Sequence, residues 1–399
     1  MKIGILHLSD LHIQDKIQIE RIDSLVKAID YDIKQISNLY LVLSGDVTNY
    51  GRHGEFENAK LLVNQLTNSL KKRGGLLTIK IIAVPGNHDC CFDNEKKTRK
   101  SIINDCKTDI VEEEDFFIDA MAVQSNFWDF TNEITEFKDR NQVAYKYEFT
   151  PHIDFKVIFH CYNTSWLTEK NETQGSLIIP ENKFLENENG EYVISVFHHP
   201  IDWLSANTKK NNKQRFEEHL INSSNLVIYG HEHDKGNSKA IIQKNNNIVF
   251  CGGKAFDKNE INETGFSLYE IDLTDKSINI KTFNFDGQIY SVEFEDKHKI
   301  IEKNKREFIL SPEFETKITH LNIPLKHSKK SNLVLSDVFV FPDLEPLLDE
   351  DTVVQYPNSS ELIDKVKNDD TANILIEGAD QSGKTSLLYV LYKRFYEMG

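Results

Sequence analysis

Five short segments carry residue types that bind metal ions, and each directly follows a predicted strand. The segments are Asp10-Leu11-His12, Gly45-Asp46, Gly86-Asn87-His88-Asp89, His198-His199-Pro200 and Gly230-His231-Glu232-His233. Aspartate and imidazole ligands suit Mn, Fe or Zn better than Ca or Mg. Because side chains alternate along an extended segment, the two outer residues of an Asp-x-His or His-x-His segment turn to the same side. Each segment alone is a weak signal, but the five together predict a metal centre.

The first part of the chain predicts the elements that place three of these segments. Short apolar runs at 3–8, 40–43 and 79–84 predict buried strands, and apolar residues at helical spacing predict helices over 19–36 and 56–72. This order is typical of βαβ units and a largely parallel sheet. Such sheets place their sites at the carboxyl ends of the strands, so the segments are expected to converge there.

The rest of the first three hundred residues predicts a second set of strands. A charged, helical insert is expected over 93–136, and strands are expected at 155–159, 192–197, 226–229, 248–251, 266–271, 278–283 and 289–294. The pattern as a whole predicts two packed sheets flanked by helices. Glycines at 45, 86 and 230 would let the backbone turn tightly beside the bound ions.

The motifs D-x-H, G-D, G-N-H-D, H-x-P and G-H-x-H, in this order, resemble the signature of the calcineurin-like metallophosphoesterases over about residues 1–297. The resemblance implies an α/β fold, a four-layer α/β/β/α sandwich. It also implies two sets of metal ligands joined by a bridging carboxylate: Asp10, His12 and His233 for one ion, Asn87, His198 and His231 for the other, and Asp46 between them.

The resemblance also implies roles for the residues that do not bind metal. His88 would hydrogen-bond the phosphate or protonate the leaving oxygen, and Asp89 would orient it. The H-x-P spacing selects His198 as the ligand and leaves His199 as a neighbour. Asn163 lies in an Asn-Thr-Ser-Trp stretch that resembles one in some family members, so it is either a substrate-binding residue or a structural one.

The chemistry of such a centre is hydrolysis of a phosphoric ester. Two divalent ions about 3.5–4 Å apart can clamp a phosphate and activate a water for in-line attack. Two Mn²⁺ ions are expected at the centre, with Fe or Zn as alternatives. A histidine beside an aspartate is a suitable acid for the leaving group. The polar loop after Asp46 is either a substrate contact or a solvated loop; it contains Asn49, Tyr50, Arg52 and His53.

A second motif lies near the end of the chain. Gly378, Gly383, Lys384 and Thr385 match G-x-x-x-x-G-K-[ST], between a strand predicted over 373–377 and a helix predicted over 386–396. In a P-loop the backbone N–H groups cradle phosphates, the lysine reaches the β- and γ-phosphates and the threonine holds Mg²⁺. We therefore predict a nucleotide-binding P-loop.

Only 14 residues follow Thr385, which is too few for a complete P-loop domain. We therefore expect a longer protein cut inside its NTPase domain, with a phosphoesterase domain at 1–297, a linker region at 298–345 and the NTPase fragment at 346–399. Residues 335–344 resemble the lead-in of STAND-type NTPases, which in bacteria often switch an attached effector, frequently in antiphage defence. ATP and Mg²⁺ would bind only a complete NTPase domain, and any oligomer would form through it.

Composition limits the partners. Lys and Arg total 47 against 63 Asp and Glu, a formal net charge of −16, which disfavours a diffuse nucleic-acid binder. A nuclease activity stays possible, because bound metals supply local positive charge. A basic cluster could also line a substrate groove, or it forms a solvated loop; it consists of Lys209, Lys210, Lys213 and Arg215. Five irregularly spaced cysteines fit neither a disulfide framework nor a zinc finger. Without a signal peptide or a bilayer-length apolar run, the expected location is the cytoplasm, with no membrane partner.

The sequence favours a phosphodiesterase, either a nuclease or a nucleotide phosphodiesterase, as an effector controlled by the NTPase. The Gly-Asn-His-Asp motif supports this, since protein phosphatases typically end that motif in Glu. Three alternatives stay open. These are a phosphomonoesterase or nucleotidase, a regulatory module with an inactive metal site, and a scaffold whose P-loop is the functional part.

We predict that this chain does not hydrolyse ATP, because the motif is followed by too little sequence for the strand that completes an NTPase site. Phosphate release from ATP is best measured on an Asp10→Asn variant, in which the metal centre is disabled. Turnover above background in that variant would contradict the prediction.

Overall fold

The structure, a computed structural model, describes residues 2–14, 19–75, 77–93, 95–108, 114–153, 155–186, 191–206, 211–232, 238–243, 246–256, 264–299, 312–321, 325, 327, 330, 333–345, 358–362 and 375–398. The chain divides into two compact units, Met1–Lys303 and Asn304–Gly399. The predicted metal ligand His233 lies outside the described residues, as do 346–357 of the predicted NTPase fragment.

The strands of the first unit lie in two sheets of six. In chain order they are β1 (Lys2–Leu8), β2 (Ile36–Leu43), β3 (Thr78–Ala83), β4 (Ala144–His152), β5 (Phe155–Tyr162), β6 (Tyr192–Val196), β7 (Leu226–Tyr229), β8 (Ser238–Gln243), β9 (Asn246–Gly252), β10 (Gly265–Asp272), β11 (Ser277–Phe285) and β12 (Tyr290–Lys299). The first sheet has the order β12-β11-β10-β1-β2-β3, and the second has the order β4-β5-β6-β7-β9-β8.

Each sheet has a parallel centre that brings strand ends together. In the first sheet β1, β2 and β3 run parallel, while β10, β11 and β12 continue it in antiparallel pairs. In the second sheet β5, β6, β7 and β9 run parallel, and β4 and β8 close the two edges in antiparallel pairs. Residues 3–8 of β1 are all buried, as expected of a strand covered on both faces.

Helices cover the sheets. In the first unit they are α1 (Ile19–Ala28), α2 (Asp30–Ile33), α3 (His53–Gly74), α4 (Lys97–Thr108), α5 (Glu114–Ala120), α6 (Ser125–Ile134) and α7 (Asn212–Ser223). Helix α3 buries Phe56, Ala59, Val63, Leu66 and Leu70, which recur every three or four residues and so form one apolar face.

The two sheets pack on each other through their apolar faces. The ring of Tyr40 from β2 lies 5.1 Å from that of Phe159 from β5, within a core that also takes in residues of α1 and α3. A second core lies between the second sheet and its helices, where Phe197 contacts Phe216 of α7 at a ring distance of 5.6 Å. The prediction of a mixed α/β fold with two sheets and flanking helices is confirmed.

Several predicted elements differ from the structure. The helix expected over 19–36 ends at Ala28, a short helix follows, and β2 begins at Ile36 rather than at 40. The polar residues Ser37 and Asn38 hid the start of this strand, which is fixed by pairing with β1 and β3. The prediction also missed β4, β8 and α7. In α7 only a few apolar residues mark the buried face among charged ones.

The second unit contains three helices in its described residues, α8 (Pro312–Thr319), α9 (Leu335–Val338) and α10 (Lys384–Met398). The predicted linker region therefore carries two of them, and α10 covers the predicted helix 386–396. Of the strand predicted over 373–377, residues 373 and 374 lie outside the described part and 375–377 form no strand. Across the described residues, no helix combines the length and apolar character needed to cross a bilayer.

Candidate metal centre

The strand ends place the predicted ligands at one edge of the two sheets. Asp10 and Asp46 follow β1 and β2, Asn87 follows β3, and His198 and His231 follow β6 and β7 of the second sheet. All five lie beyond the carboxyl end of their strand, the position at which parallel sheets collect functional side chains. Asp10 and His231, which are 221 residues apart in the chain, are thereby brought into contact.

The backbone at these positions is strained. Asp10, His12, Asp46 and His231 have φ values of 52°, 46°, 52° and 73°, and they are four of the seven non-glycine residues with positive φ in the described part of the chain. Residues with a Cβ rarely adopt such φ values, and the residues that do are concentrated at functional sites. Backbone hydrogen bonds stabilise this conformation: Asp10 N–H donates to Gly45 O at 3.1 Å and His12 N–H donates to Asp46 O at 3.0 Å.

Three glycines let the ligand-bearing loops approach one another, as the sequence predicts. A Cβ on Gly45 would lie 2.5 Å from Nδ1 of His198, and one on Gly86 would lie 2.1 Å from Oδ1 of Asp46. A Cβ on Gly230 would lie 2.0 Å from Oγ of Ser9. These contacts are too close for any side chain, so glycine is required by packing against the site itself.

Asp46 lies at the centre of the cluster. Its Oδ1 accepts a hydrogen bond from the His88 N–H at 2.8 Å, and its Oδ2 lies 3.1 Å from Nε2 of His198. Asp46 also belongs to two ligand groups whose atoms lie within 4.8 Å of one another, one with His12 and His88 and one with Asp10 and His198. Burial raises the pKa of Asp46, but the neighbouring imidazoles, His198 first, outweigh it and hold the pKa well below its usual range.

The second predicted ligand set also comes together. Nδ1 of His231 lies 3.2 Å from Oδ1 of Asn87 and 3.3 Å from Nε2 of His198. Nδ1 of His198 donates to the Ser44 carbonyl at 2.9 Å, which turns its Nε2 toward the other ligands. Burial lowers the pKa of His198, but the Asp46 carboxylate outweighs this effect and raises it to about 10. Buried carboxylates and imidazoles around one space form a donor set that fits divalent transition metals.

His199 lies beside this set, and with His198 and His231 it forms a third group of potential ligand atoms within 4.8 Å of one another. The choice of His198 over His199 as the ligand stays a prediction from the H-x-P spacing. Its Nδ1 lies 3.0 Å from the hydroxyl of Thr164 and its Nε2 lies 3.2 Å from a carboxylate oxygen of Glu172. The ring nitrogens of His199 contact Thr164 and Glu172, whereas Nε2 of His198 faces the predicted ligands Asp46 and His231.

His88 lies beside the ligands, but Asp89 does not orient it as expected. The His88 Nδ1–H donates to the Asn49 carbonyl at 2.9 Å, and its ring lies 4.7 Å from that of His12. The Asp89 carboxylate instead accepts backbone hydrogen bonds from Thr48 at 2.9 Å, Gly86 at 2.9 Å and Val47 at 3.2 Å. Asp89 therefore braces the two loops that carry Asp46 and His88, and the carbonyl of Asn49 orients the ring.

Burial and the nearby Asp46 carboxylate raise the pKa of Asp89 to about 6, although the backbone donors oppose the shift.

In the loop after Asp46, Arg52 is exposed and forms an ion pair with Asp93 at 3.0 Å. The backbone of Asn49 therefore has a defined contact with His88, while the Arg52 side chain is bound to a surface carboxylate.

Asn163 has a structural role rather than the predicted place in a substrate pocket. Its Nδ2 donates to Oε1 of Gln124 at 2.7 Å and to the Gln142 carbonyl at 3.3 Å. Its Oδ1 accepts from the Gln124 amide at 3.2 Å and from the Ser165 N–H at 3.1 Å. The buried amide group is therefore satisfied within the protein and ties three loops together.

The basic cluster behaves as part of the surface where it is described. Lys213 forms an ion pair with Asp202 at 2.5 Å, and Arg215 forms one with Glu181. Lys209 and Lys210 lie outside the described residues. Both described cations thus have acidic partners in place, which favours the interpretation of a solvated segment.

The predicted P-loop residues lie in the second unit. Nζ of Lys384 donates to the carbonyls of Gly378 at 2.6 Å and Ala379 at 2.7 Å, so the loop curls around the ammonium group. Gly383 has a φ of 87°, which glycine adopts without strain. Helix α10 begins at Lys384, and Thr385 lies in its first turn.

Three residues next to the metal ligands were not predicted, namely Thr164, Glu172 and Trp203. Thr164 lies within the Asn-Thr-Ser-Trp stretch, which offered a signal. Glu172 lies in an irregular segment and Trp203 ends the short 3-10 helix Ile201–Trp203, and only the tertiary contacts bring them to His199 and His231.

Gly86→Ala is predicted to disrupt the centre, because the added methyl would overlap the Asp46 carboxylate. We expect a loss of about 1–3 kcal/mol in the free energy of unfolding and weaker Mn²⁺ binding, measured by denaturant titration and calorimetry. The matched control is Gly54→Ala, whose Cβ would have no atom within 4 Å. Equal behaviour of the two variants would contradict the prediction.

Comparison with known proteins identifies the family of this chain. The calcineurin-like phosphoesterase family model matches residues 3–235, more than half of the 399 residues. Similar solved structures include GAP50, the anchor in the inner membrane complex of Plasmodium, at 15% identity and a TM-score of 0.39, covering 76% of this chain and 90% of that one.

Two further structures are similar at lower identity. A predicted phosphoesterase of Streptococcus pneumoniae is 11% identical with a TM-score of 0.29, covering 75% of this chain and 98% of that one. Entamoeba histolytica Vps29 complexed with zinc is 9% identical with a TM-score of 0.31, covering 74% and 99%. A search of curated proteins found no match. By the family match over residues 3–235, the chain belongs to the calcineurin-like phosphoesterase family.

Proposed function

We propose that the first unit is a dinuclear-metal phosphoesterase that hydrolyses phosphodiester bonds. The observation that carries the proposal is the position of Asp46, which belongs at once to a ligand group with His12 and a ligand group with Asp10 and His198. A carboxylate has two oxygens, so a single residue placed in this way is suited to join two ions. Bound there, two divalent ions would supply electrostatic stabilisation of the phosphate and an activated water.

The chain's own residues would hold the ions. Asp10 and His12 would serve one subsite together with His233, and Asn87, His198 and His231 would serve the other, with Mn²⁺ as the expected metal and Fe or Zn as alternatives. The His198 contact with the Ser44 carbonyl fixes its tautomer, an arrangement common to metal-binding histidines.

His88 is suited to bind the phosphate or to protonate the leaving oxygen. Because its Nδ1–H donates to the Asn49 carbonyl, its second ring nitrogen is the one left for substrate. The ring lies against His12, at the edge of the ligand cluster. An alkoxide leaving group needs a proton, and His88 is placed to supply it. The proposed substrate is a nucleotide diester or a nucleic acid.

The ion pairs of Lys213 and Arg215 support the smaller of these substrates. Both cations are bound to acidic side chains, and the chain carries a formal net charge of −16. A nucleic-acid strand would need cations along its path outside the metal centre. We therefore place nucleotide diesters before DNA and RNA as substrates.

The test compares hydrolysis of bis-p-nitrophenyl phosphate with hydrolysis of p-nitrophenyl phosphate in the presence of Mn²⁺. We expect preference for the diester. Proton transfer by His88 is tested on 3′,5′-cyclic AMP, whose leaving group is an alkoxide, and there we expect a drop of about 10²–10⁴-fold in kcat for His88→Ala. His320→Ala, in an exposed position of the second unit, is the control. Preference for the monoester would point to a phosphomonoesterase or nucleotidase. Bound Mn²⁺ without turnover of either substrate would point to a regulatory module.

We further propose that the second unit begins an NTPase domain that controls this activity. The support is the Lys384 ammonium group enclosed by the carbonyls of Gly378 and Ala379 directly before α10, where a nucleotide phosphate would replace those carbonyls as its partner. A helix N-terminus beside the lysine adds backbone N–H donors for the same phosphate.

In a protein that carries the complete NTPase domain, Lys384→Ala is expected to weaken binding of a fluorescent ATP analogue by at least about tenfold, because a charge-assisted hydrogen bond to phosphate contributes about 1.5–3 kcal/mol. Lys317→Ala, an exposed lysine of α8, is the control. Equal affinity in both variants would contradict a P-loop at this position.

A further inference from the structure

His199 lies next to the ligand His198 in sequence, but its buried ring is held by a separate set of partners. Its backbone N–H donates to the Thr164 hydroxyl at 3.0 Å, and its Nδ1 lies 3.0 Å from the same oxygen. Its Nε2 lies 3.2 Å from Oε2 of Glu172. The other carboxylate oxygen of Glu172 accepts a hydrogen bond from the Thr168 hydroxyl.

One arrangement of protons satisfies all of these contacts. The Thr164 oxygen accepts from a backbone N–H, and in this arrangement its O–H donates to Nδ1 of His199. Nε2 then carries the ring proton and donates it to Glu172, which is acceptor-only when ionised. A neutral imidazole and an ionised carboxylate satisfy every donor and acceptor in the group, and the ring of His199 is fixed at both ends.

The fixed ring forms one wall around the ligand His231. The ring centroids of His199 and His231 lie 4.4 Å apart, and the indole ring of Trp203 lies 4.2 Å from His231 at an interplanar angle of 85°. The indole N–H of Trp203 donates to Glu232 at 3.0 Å, which holds that ring in place as well. His231 therefore packs against two anchored rings, which lie 5.7 Å from each other, and its Nδ1 is directed to Asn87 and His198.

Resting on the proposed function, we propose that Glu172 and His199 are positioning residues for the metal subsite formed by Asn87, His198 and His231. Glu172 fixes the orientation of His199, and His199 fixes by packing the ring of His231. An apolar residue could fill the space at Glu172 without the cost of desolvating a carboxylate, so its presence here fits an orienting role. Residues that orient metal ligands contribute about 10–100-fold to metal affinity or activity.

The experiment is a Mn²⁺ titration of the metal-free protein by calorimetry, without substrate. We expect two binding events in the wild type, and a loss of about 10–100-fold in the affinity of one of them in Glu172→Ala. Glu172→Gln keeps an acceptor oxygen for His199 and should restore most of the affinity. Thr164→Val, which removes the hydroxyl on the other side of the ring, should weaken the same event. The control is Glu218→Ala, an exposed residue of α7.

Thermal unfolding of the metal-free variants separates positioning from general stability. A lower melting temperature in Glu172→Ala and in Thr164→Val with both Mn²⁺ affinities unchanged would overturn the proposal, and so would a wild type that binds no Mn²⁺. Two tight Mn²⁺ sites, one weakened in these variants, would support it even if the wild type hydrolyses no phosphoester. In that case the proposed function alone would fail.

Discussion

The structure depends on bringing buried carboxylates and imidazoles together at the meeting edge of two sheets. Asp10 and Asp46 are almost fully buried, and like charges at close range oppose folding unless a cation or donor compensates them. The chain supplies part of the compensation through the His198 imidazole and the His88 N–H. The remaining negative charge suits divalent ions. The same buried carboxylates therefore oppose folding in the absence of metal and favour the binding of metal.

The fold keeps this arrangement in place by rigid means. Each proposed ligand among the described residues follows a strand that contributes residues to the core between the sheets, so a shift of its backbone would disturb that core. Glycines allow contacts that a Cβ would prevent, and Asp89 joins the loop after β2 to the loop after β3 by accepting their backbone N–H groups. The positive φ values at four of the proposed ligands are strain that this surrounding structure maintains.

A second layer of polar residues surrounds the ligands and differs from them in its chemistry. Thr164, Glu172 and His199 have their hydrogen bonds satisfied among themselves, while His198 and His231 direct ring nitrogens at each other and at Asn87. The buried Arg99 extends this layer, because its guanidinium donates to the carbonyls of Thr168 at 2.6 Å and Ala120 at 2.7 Å. The segment that carries Glu172 is thereby joined to the helical insert.

The sequence by itself determined the ligand types and their order, because D-x-H, G-D, G-N-H-D and G-H-x-H are local patterns next to apolar strands. The apolar runs next to these motifs predicted the central strands of both sheets. Elements whose apolar signal is weak, such as α7 and the start of β2, were missed because pairing and packing with distant residues fix them.

Only the tertiary structure decided which neighbours act on the ligands. It assigned the orientation of His88 to the Asn49 carbonyl, gave Asn163 to a structural network and brought Glu172 to His199 across 27 residues. Hydrogen bonds of this kind depend on the relative positions of loops, and no local pattern encodes those positions. The sequence therefore determines which side chains the site can offer to a metal, and the fold determines how each of them is held.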